Sequence, residues 1–162
     1  MAVAQRIEND ARAGLQHSGE TPAALVVIGY ATGPTNDRLG KVLGLSHSGT
    51  VRLVDRLVAS GLVQRGRGAD RREVSLTLTA RGEAKRDEVL AARHIAIAPF
   101  LSALSEDEQA RLGDLLAKVL QGLEPDDGER CSICRMCDND ACDPCPIPAA
   151  FRDAERIVSN GA

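Results

Sequence analysis

The feature that most constrains the fold is a pair of short amphipathic segments with almost no chain between them. The first, TNDRLGKVLG (residues 35–44), repeats large aliphatic residues at helical spacing and ends on Gly44, a residue type common just after a helix. The second runs from about His47 to Ser60, and Ser46 before it is a typical N-cap. So short a connection makes the helices cross steeply, which predicts a helix-turn-helix unit whose second helix starts at the surface.

Two strand-like segments follow the second helix. They are LVQR (62–65) and EVSLTLT (73–79), and the polar, glycine-rich GRGAD (66–70) joins them, which predicts a β-hairpin. Apolar and polar residues alternate in the second strand. This alternation predicts that the side chains of Val74, Leu76 and Leu78 face inward and that those of Ser75, Thr77 and Thr79 face outward. The predicted fold class is therefore mostly α with a small β-hairpin wing, a winged helix-turn-helix.

Arginine is concentrated in the same part of the chain. Residues 51–72 carry a net charge of +4, because six arginines stand against Asp55 and Asp70. The six are Arg52, Arg56, Arg65, Arg67, Arg71 and Arg72. Such a strip is either a binding surface for an anion or an ordinary solvated surface, and charge alone does not separate the two.

Two further helices are predicted up to residue 123. One spans about 80–103 and passes or kinks at Pro99, and the next begins at a capping box formed by Ser105 and Glu108. The last helix carries a stripe of six large aliphatic residues, Leu112, Leu115, Leu116, Val119, Leu120 and Leu123. Because a small winged helix has little surface with which to cover this stripe, we expect a partner subunit to cover it.

The chain resembles the MarR family of winged-helix transcriptional regulators over roughly residues 5–123. The resemblance is carried by LGLSHSGTVRLVDRLVASGLVQR (43–65) and GADRREVSLTLTARG (68–82). It implies a homodimer, held by helices from both ends of the chain, that binds a pseudo-palindromic operator in double-stranded DNA and responds to a small-molecule effector or to oxidation. The implied domains are an N-terminal dimerisation helix (1–20), a winged helix-turn-helix DNA-binding domain (21–82), C-terminal dimerisation helices (83–123), and an acidic linker with a cysteine-rich tail (124–162).

Residues at the start of the second helix suit contacts with DNA, because a helix fits the major groove with its N-terminal residues facing base edges. The resemblance adds a wing arginine in the minor groove, at Arg71 or Arg72, with Asp70 as its buttress. The predicted DNA-binding residues are Thr35, Asn36, Ser46, His47, Ser48, Thr50, Arg52, Arg56, Arg71 and Arg72.

All five cysteines lie within CSICRMCDNDACDPCP (131–146), and two-residue gaps let their sulfurs converge on one ion. A subset of MarR-like regulators has a similar tail, which implies a ligand set of Cys134, Cys137, Cys142 and Cys145 with Cys131 as an extra thiol or alternate ligand. The spacing leaves three interpretations open: zinc, an iron–sulfur cluster, or metal-free thiols that oxidise to disulfides. The neighbouring aspartates are expected to raise the pKa of the thiols.

The leading hypothesis is a dimeric DNA-binding regulator, a repressor, whose tail binds a metal or cluster and senses redox or metal status. One alternative is a regulator of the same kind that responds to a small molecule and has a purely structural zinc tail. A different class of function is a redox, electron-transfer or adapter protein that uses the cysteine knuckle. We predict no enzyme, because no base is paired with a nucleophile. Without a signal peptide or a long apolar run, we expect a cytoplasmic protein with no membrane partner.

Overall fold

A computed structural model describes residues 19–31, 33–67, 74–122, 133–138, 141 and 146–147. The elements are α1 (Thr21–Tyr30), α2 (Asn36–Leu43), α3 (His47–Ala59), β1 (Val63–Arg67), β2 (Val74–Leu78), α4 (Ala80–Leu101) and α5 (Glu106–Gln121). The predicted fold class, mostly helical with one antiparallel hairpin, is confirmed. The first predicted helix, the tip of the wing and most of the tail lie outside the described residues.

Helices α2 and α3 form the predicted helix-turn-helix, and their ends are set by local caps. The Thr35 hydroxyl accepts from the Arg38 N–H, and Ser46 Oγ accepts from the Gly49 N–H. Gly44 ends α2 with φ of 65°, in the left-handed region where glycine carries no steric penalty. These caps satisfy backbone donors and acceptors that helix ends leave unpaired, so the sharp turn is encoded locally.

The core is aliphatic and is centred on α1, which is buried on every side. Seven consecutive residues of this helix, from Pro22 to Ile28, are buried. A helix that is apolar all round is typical of the interior of a domain. The inner faces of α2 and α3 and the base of the hairpin pack around α1, so the outer face of α3 is left at the surface.

The hairpin corrects one sequence prediction. Leu76 is fully buried as expected, but Val74 is 45% exposed and Ser75 is buried. Ser75 lies beside Gly33 and Gly66, where a Cβ atom added to either glycine would approach its side chain to 3.2 and 3.1 Å respectively. The small serine therefore fills a gap between two backbones, and the inward–outward alternation fails at the start of β2, the end of the strand nearer the tip of the wing.

A tight joint connects the end of the helix-turn-helix to the start of α4. The Thr79 hydroxyl donates to the Gly61 carbonyl at 2.7 Å, and the Thr79 N–H donates to the Leu62 carbonyl at 3.0 Å. Gly82, in the first turn of α4, lies so close that an added Cβ would be 2.0 Å from the Leu62 oxygen. The joint therefore fixes the direction in which α4 leaves the winged helix.

Helices α4 and α5 follow this joint in the chain. Helix α4 contains Pro99, and α5 begins with the predicted capping box. None of the α5 side chains is buried by the described residues, and the exposed fractions of Leu115, Leu116 and Val119 are 53%, 53% and 61%. Within the described ranges, no single helix is both long and apolar enough to cross a membrane, and α4 and α5 are bent 117° from each other.

Candidate nucleic-acid interface and metal centre

The outer face of α3 is polar and cationic. Exposed residues recur along this face at helical spacing, and the stripe consists of Ser48, Arg52, Asp55, Arg56 and Ala59. His47, the first residue of the helix, is exposed as well. The opposite face carries the buried aliphatic residues Leu53, Val54 and Leu57. Burial of one face fixes α3 on the core and presents the other face to solvent as a single surface.

The two arginines of this stripe form no ion pair with an acidic side chain of the described residues. Within the described residues no ion pair involves Arg52 or Arg56, and the only polar side-chain contact of the pair is from Arg52 Nε to the Ser48 carbonyl, 3.2 Å away. Asp55, which could have paired with Arg56, instead accepts from Arg65 on β1. Both guanidinium groups therefore remain available for an external anion, whereas Arg65 joins the wing to α3.

Thr50 corrects the predicted DNA-binding set. This residue is fully buried, and its hydroxyl donates to the Ser46 carbonyl at 3.0 Å. It faces Gly40 of α2, where an added Cβ would be 2.7 Å from Thr50 Oγ1. Thr50 therefore belongs to the packing between the two helices, and its hydroxyl is not on the surface that could meet DNA.

Two polar side chains at the start of α2 take part in the fold itself. Thr35 is half-buried and its hydroxyl caps the helix, while the Oδ1 atom of Asn36 is buried and has no hydrogen-bond partner in the part of the chain that the structure describes. Asn36 therefore directs its carbonyl oxygen inward, away from any ligand at the surface. Ser46 and Ser48 are exposed, and their hydroxyl oxygens lie 3.4 Å apart.

Sequence reasoning missed Asp37, whose Oδ1 atom lies 2.9 Å from His47 Nδ1 across the turn. No spacing rule indicates a pair ten residues apart that depends on how the two helices cross. Arg71, Arg72 and their buttress Asp70 lie outside the described residues, so their roles stay predictions.

Two of the five cysteines are described, and they face each other. Cys134 is buried in the main core and Cys137 is exposed. The Cys137 N–H donates to the Cys134 carbonyl at 2.9 Å, and the side chain of Cys134 hydrogen-bonds the Cys137 sulfur. Cys131, Cys142 and Cys145 lie outside the described residues, and the described residues alone contain no group of three metal-binding side chains.

The acidic neighbour of Cys137 acts in the predicted direction but does not decide the pKa of its thiol. The hydrogen bond from Cys134, together with the positive charge of Arg93, lowers the pKa of Cys137 to about 6. Burial and the charge of Asp138 raise the pKa, as expected for an acidic neighbour, but they are outweighed. The prediction of a raised thiol pKa is therefore wrong for Cys137.

The cysteine segment is packed against the winged helix. The Tyr30 hydroxyl donates to Asp138 Oδ1 at 2.8 Å, and the Tyr30 ring lies beneath the Arg86 guanidinium, 5.3 Å from its carbon to the ring centroid. Met136 packs against both the main core and a second cluster in which Val26 of α1 meets the buried face of α4. This segment therefore contacts the α1–α4 boundary.

Comparisons with known proteins agree with this geometry. The model of the MarR family matches residues 18–73. The HTH-type transcriptional repressor MdtR of Bacillus subtilis is 30% identical over an alignment of 130 residues that covers 78% of this chain and 84% of that protein.

Solved structures show the same fold over most of the chain. The apo form of wild-type MarR from E. coli superposes with a TM-score of 0.61 at 31% identity, covering 74% of this chain and 92% of that one. A MarR family protein from Bacillus stearothermophilus gives a TM-score of 0.69 at 25% identity, covering 76% and 89%. MarR-family proteins are DNA-binding transcriptional regulators and not enzymes. The chain therefore belongs to the MarR family of winged helix-turn-helix transcriptional regulators.

Proposed function

We propose that this protein is a homodimeric repressor that binds a pseudo-palindromic operator through α3 and the wing. The observation that carries the proposal is the exposed face of α3, on which Arg52 and Arg56 stand one turn apart with no acidic partner among the described residues. Guanidinium groups at this spacing suit phosphates or the O6 and N7 acceptors of guanine. The similarity to the repressor MdtR supports the direction of regulation. The compartment that we propose for it is the cytoplasm.

The DNA-binding surface that we propose keeps most of the predicted residues. His47, Ser48, Arg52 and Arg56 would meet the major groove, with Ser46 and Thr35 near the phosphates at the two helix starts, and Arg71 or Arg72 would enter the minor groove. Thr50 is excluded because it is buried, and Asn36 is excluded because its amide oxygen is directed inward. The wing arginines are retained on the family resemblance alone.

Fluorescence anisotropy tests the proposal on a labelled duplex that the wild-type protein selects from a randomised library. We expect Arg52→Ala to weaken binding at least about tenfold, because a charge-assisted hydrogen bond contributes about 1.5–3 kcal/mol. Arg111→Ala is the matched control, since it removes an exposed arginine from α5. Equal affinities for the wild type and Arg52→Ala would refute the proposed surface.

The second copy of the chain is proposed to cover α5. Leu115, Leu116 and Val119 are each more than half exposed, and an apolar stripe of this size is costly to leave in water. Covering it in a two-fold dimer would place two α3 helices on one side of the assembly, as binding to two half-sites requires.

The tail is proposed to bind a metal, with zinc as the first candidate and an iron–sulfur cluster as the second. Cys134 and Cys137 fit such a site, because their sulfurs approach each other at the two-residue spacing common to both kinds of site. Cys142 and Cys145 would complete a four-thiolate set, with Cys131 as the alternate ligand. Bound zinc would supply a closed structural site whose binding energy stabilises the fold of the tail.

The tail is also proposed to influence DNA binding, since its cysteine segment packs where α1 meets α4. Loss of metal would loosen Met136 and the contact between Tyr30 and Asp138, and so change the support of α4.

Elemental analysis and the visible spectrum of anaerobically purified protein test the metal proposal. A colourless protein with about one zinc per chain selects zinc, and a brown one with a broad visible band selects an iron–sulfur cluster. We expect Cys137→Ser to lose the metal and Cys131→Ser to keep it. A wild-type protein that holds no metal after anaerobic purification contradicts the proposal. If Cys137→Ser binds the operator as tightly as the wild type does, the tail is only a structural staple.

A further inference from the structure

The first residue of α3 is held by a side chain of α2. His47 Nδ1 lies 2.9 Å from Asp37 Oδ1, and the two side chains are 73% and 76% exposed. Asp37 is the second residue of α2, where free backbone N–H groups favour a carboxylate. The contact spans the turn of the helix-turn-helix, and it lies at the end of α3 that would face base edges.

The chemistry of the pair fixes the position of a proton. An ionised carboxylate can only accept a hydrogen bond, so Nδ1 of His47 must carry the hydrogen in this contact. In a neutral imidazole the other nitrogen, Nε2, then holds a lone pair and is an acceptor. Asp37 therefore determines which kind of hydrogen bond the exposed ring can offer to a ligand.

We propose that Asp37 is a positioning residue that makes His47 a hydrogen-bond acceptor for a base edge in the major groove. This inference rests on the proposed DNA binding and adds a rule of sequence selection to it. The donors in the major groove are the N4 amino group of cytosine and the N6 amino group of adenine. The base that meets His47 is therefore cytosine or adenine, and guanine or thymine at that place leaves two acceptors facing each other.

The charge of Asp37 has a second, opposite effect. A carboxylate on a surface that approaches phosphates is repelled by them, so Asp37 weakens binding to DNA of any sequence. The residue therefore lowers non-specific affinity and raises discrimination at one base pair. Removal of Asp37 should therefore raise the non-specific affinity and lower the discrimination at that base pair. A merely structural role would produce neither change.

The tautomer can be measured without DNA. ¹⁵N-detected histidine spectra, recorded at a pH at which the spectra show a neutral ring, report which nitrogen carries the proton. We expect the Nδ1–H form of His47 in the wild type and the Nε2–H form in Asp37→Ala. Asp37 is exposed and Thr35 is the cap of α2, so this variant should fold normally.

Base discrimination is measured by anisotropy on the selected duplex and on its single-base-pair variants. We expect the wild type to prefer one base pair in each half-site by roughly three- to tenfold, the net worth of one hydrogen bond. Asp37→Ala and His47→Ala should both lose this preference at the same base pair, and the double variant should be no worse than His47→Ala. Asp37→Ala should also bind unrelated duplexes more tightly than the wild type does.

Asp55→Ala is the matched control, because Asp55 is an exposed carboxylate on α3 that contacts Arg65 rather than His47. It should raise non-specific affinity and leave the base preference unchanged. An unchanged tautomer or an unchanged base preference in Asp37→Ala would overturn the inference while operator binding stands. Failure of the proposed function looks different, because the wild type itself would then not distinguish any duplex from another, and the inference would fail with it.

Discussion

Substitution of Gly82 by alanine should cost more stability than the same substitution at any other glycine that the structure describes. The added Cβ would lie 2.0 Å from the Leu62 oxygen and 3.0 Å from its carbonyl carbon. Both atoms belong to the backbone, so no side-chain rotation relieves the contact. Since non-bonded carbon atoms settle at about 3.5–4.0 Å, the start of α4 must move away from Leu62 by more than about 1 Å.

That movement also breaks the joint that Thr79 makes. The Thr79 N–H donates to the same Leu62 carbonyl at 3.0 Å, and its hydroxyl donates to Gly61 at 2.7 Å. Overpacking costs about 1–3 kcal/mol, and each lost hydrogen bond adds about 1 kcal/mol. The free energy of unfolding should therefore fall by about 3–5 kcal/mol, which corresponds to a fall in Tm of about 6–20 °C for a chain of this size.

Thermal unfolding followed by circular dichroism at one fixed protein concentration measures this effect, because the Tm of a dimer depends on concentration. Gly113→Ala is the matched control, since an added Cβ there meets no atom within 4 Å. It lies in the interior of α5, where alanine should raise stability by about 0.5–1 kcal/mol. If Gly82→Ala melted within about 2 °C of the wild type, α4 would not be fixed to the helix-turn-helix as described.

Three further perturbations probe other contacts. Gly40→Ala places a Cβ 2.7 Å from Thr50 Oγ1, so chemical denaturation should show a loss of about 1–3 kcal/mol, and an unchanged midpoint would contradict the close helix crossing. Thr79→Ala removes the cap of α4 and should lower stability by about 1 kcal/mol, whereas Thr79→Ser should retain most of it; equal losses in both variants would rule out the hydroxyl as the cause. Leu116→Glu puts a charge into the stripe on α5 and should convert the proposed dimer to a monomer in sedimentation velocity, and a stable dimer would place the interface elsewhere.

Local signals made the helix-turn-helix predictable from sequence. Gly44 and Ser46 specify the turn by their own conformational and hydrogen-bonding preferences, and Ser105 with Glu108 specifies the start of α5 in the same way. These features depend on residues within one turn of each other. Their positions in the structure match the sequence prediction for that reason.

Features that depend on packing between elements were harder to predict. Thr50 shares a helical face with Leu53 and Leu57, so its spacing indicated burial, but its hydroxyl suggested a surface role. The pair of Asp37 and His47 requires knowledge of how two helices cross. The residue types of Asp37 and His47 do not by themselves indicate how the two helices cross.

The cysteine segment likewise combines features that local spacing predicts and features that depend on packing between elements. Regular spacing indicated a shared site for the sulfurs, and Cys134 and Cys137 do lie together. The spacing did not indicate that Arg93 of α4 would stand near Cys137 and help to lower its pKa. It also gave no sign that Met136 would pack where α1 meets α4, because that contact joins three parts of the chain that are distant in sequence.

The most direct test of the central claim is the salt dependence of operator binding for the wild type and for the double variant Arg52→Ala/Arg56→Ala. If the outer face of α3 lies on DNA in a dimer, four guanidinium groups contact the duplex, and each that neutralises a phosphate contributes about 0.9 to the slope of log affinity against log salt concentration. The double variant should bind far more weakly, and its slope should be shallower by up to about 3.6. An affinity and a slope equal to those of the wild type would show that α3 does not face DNA.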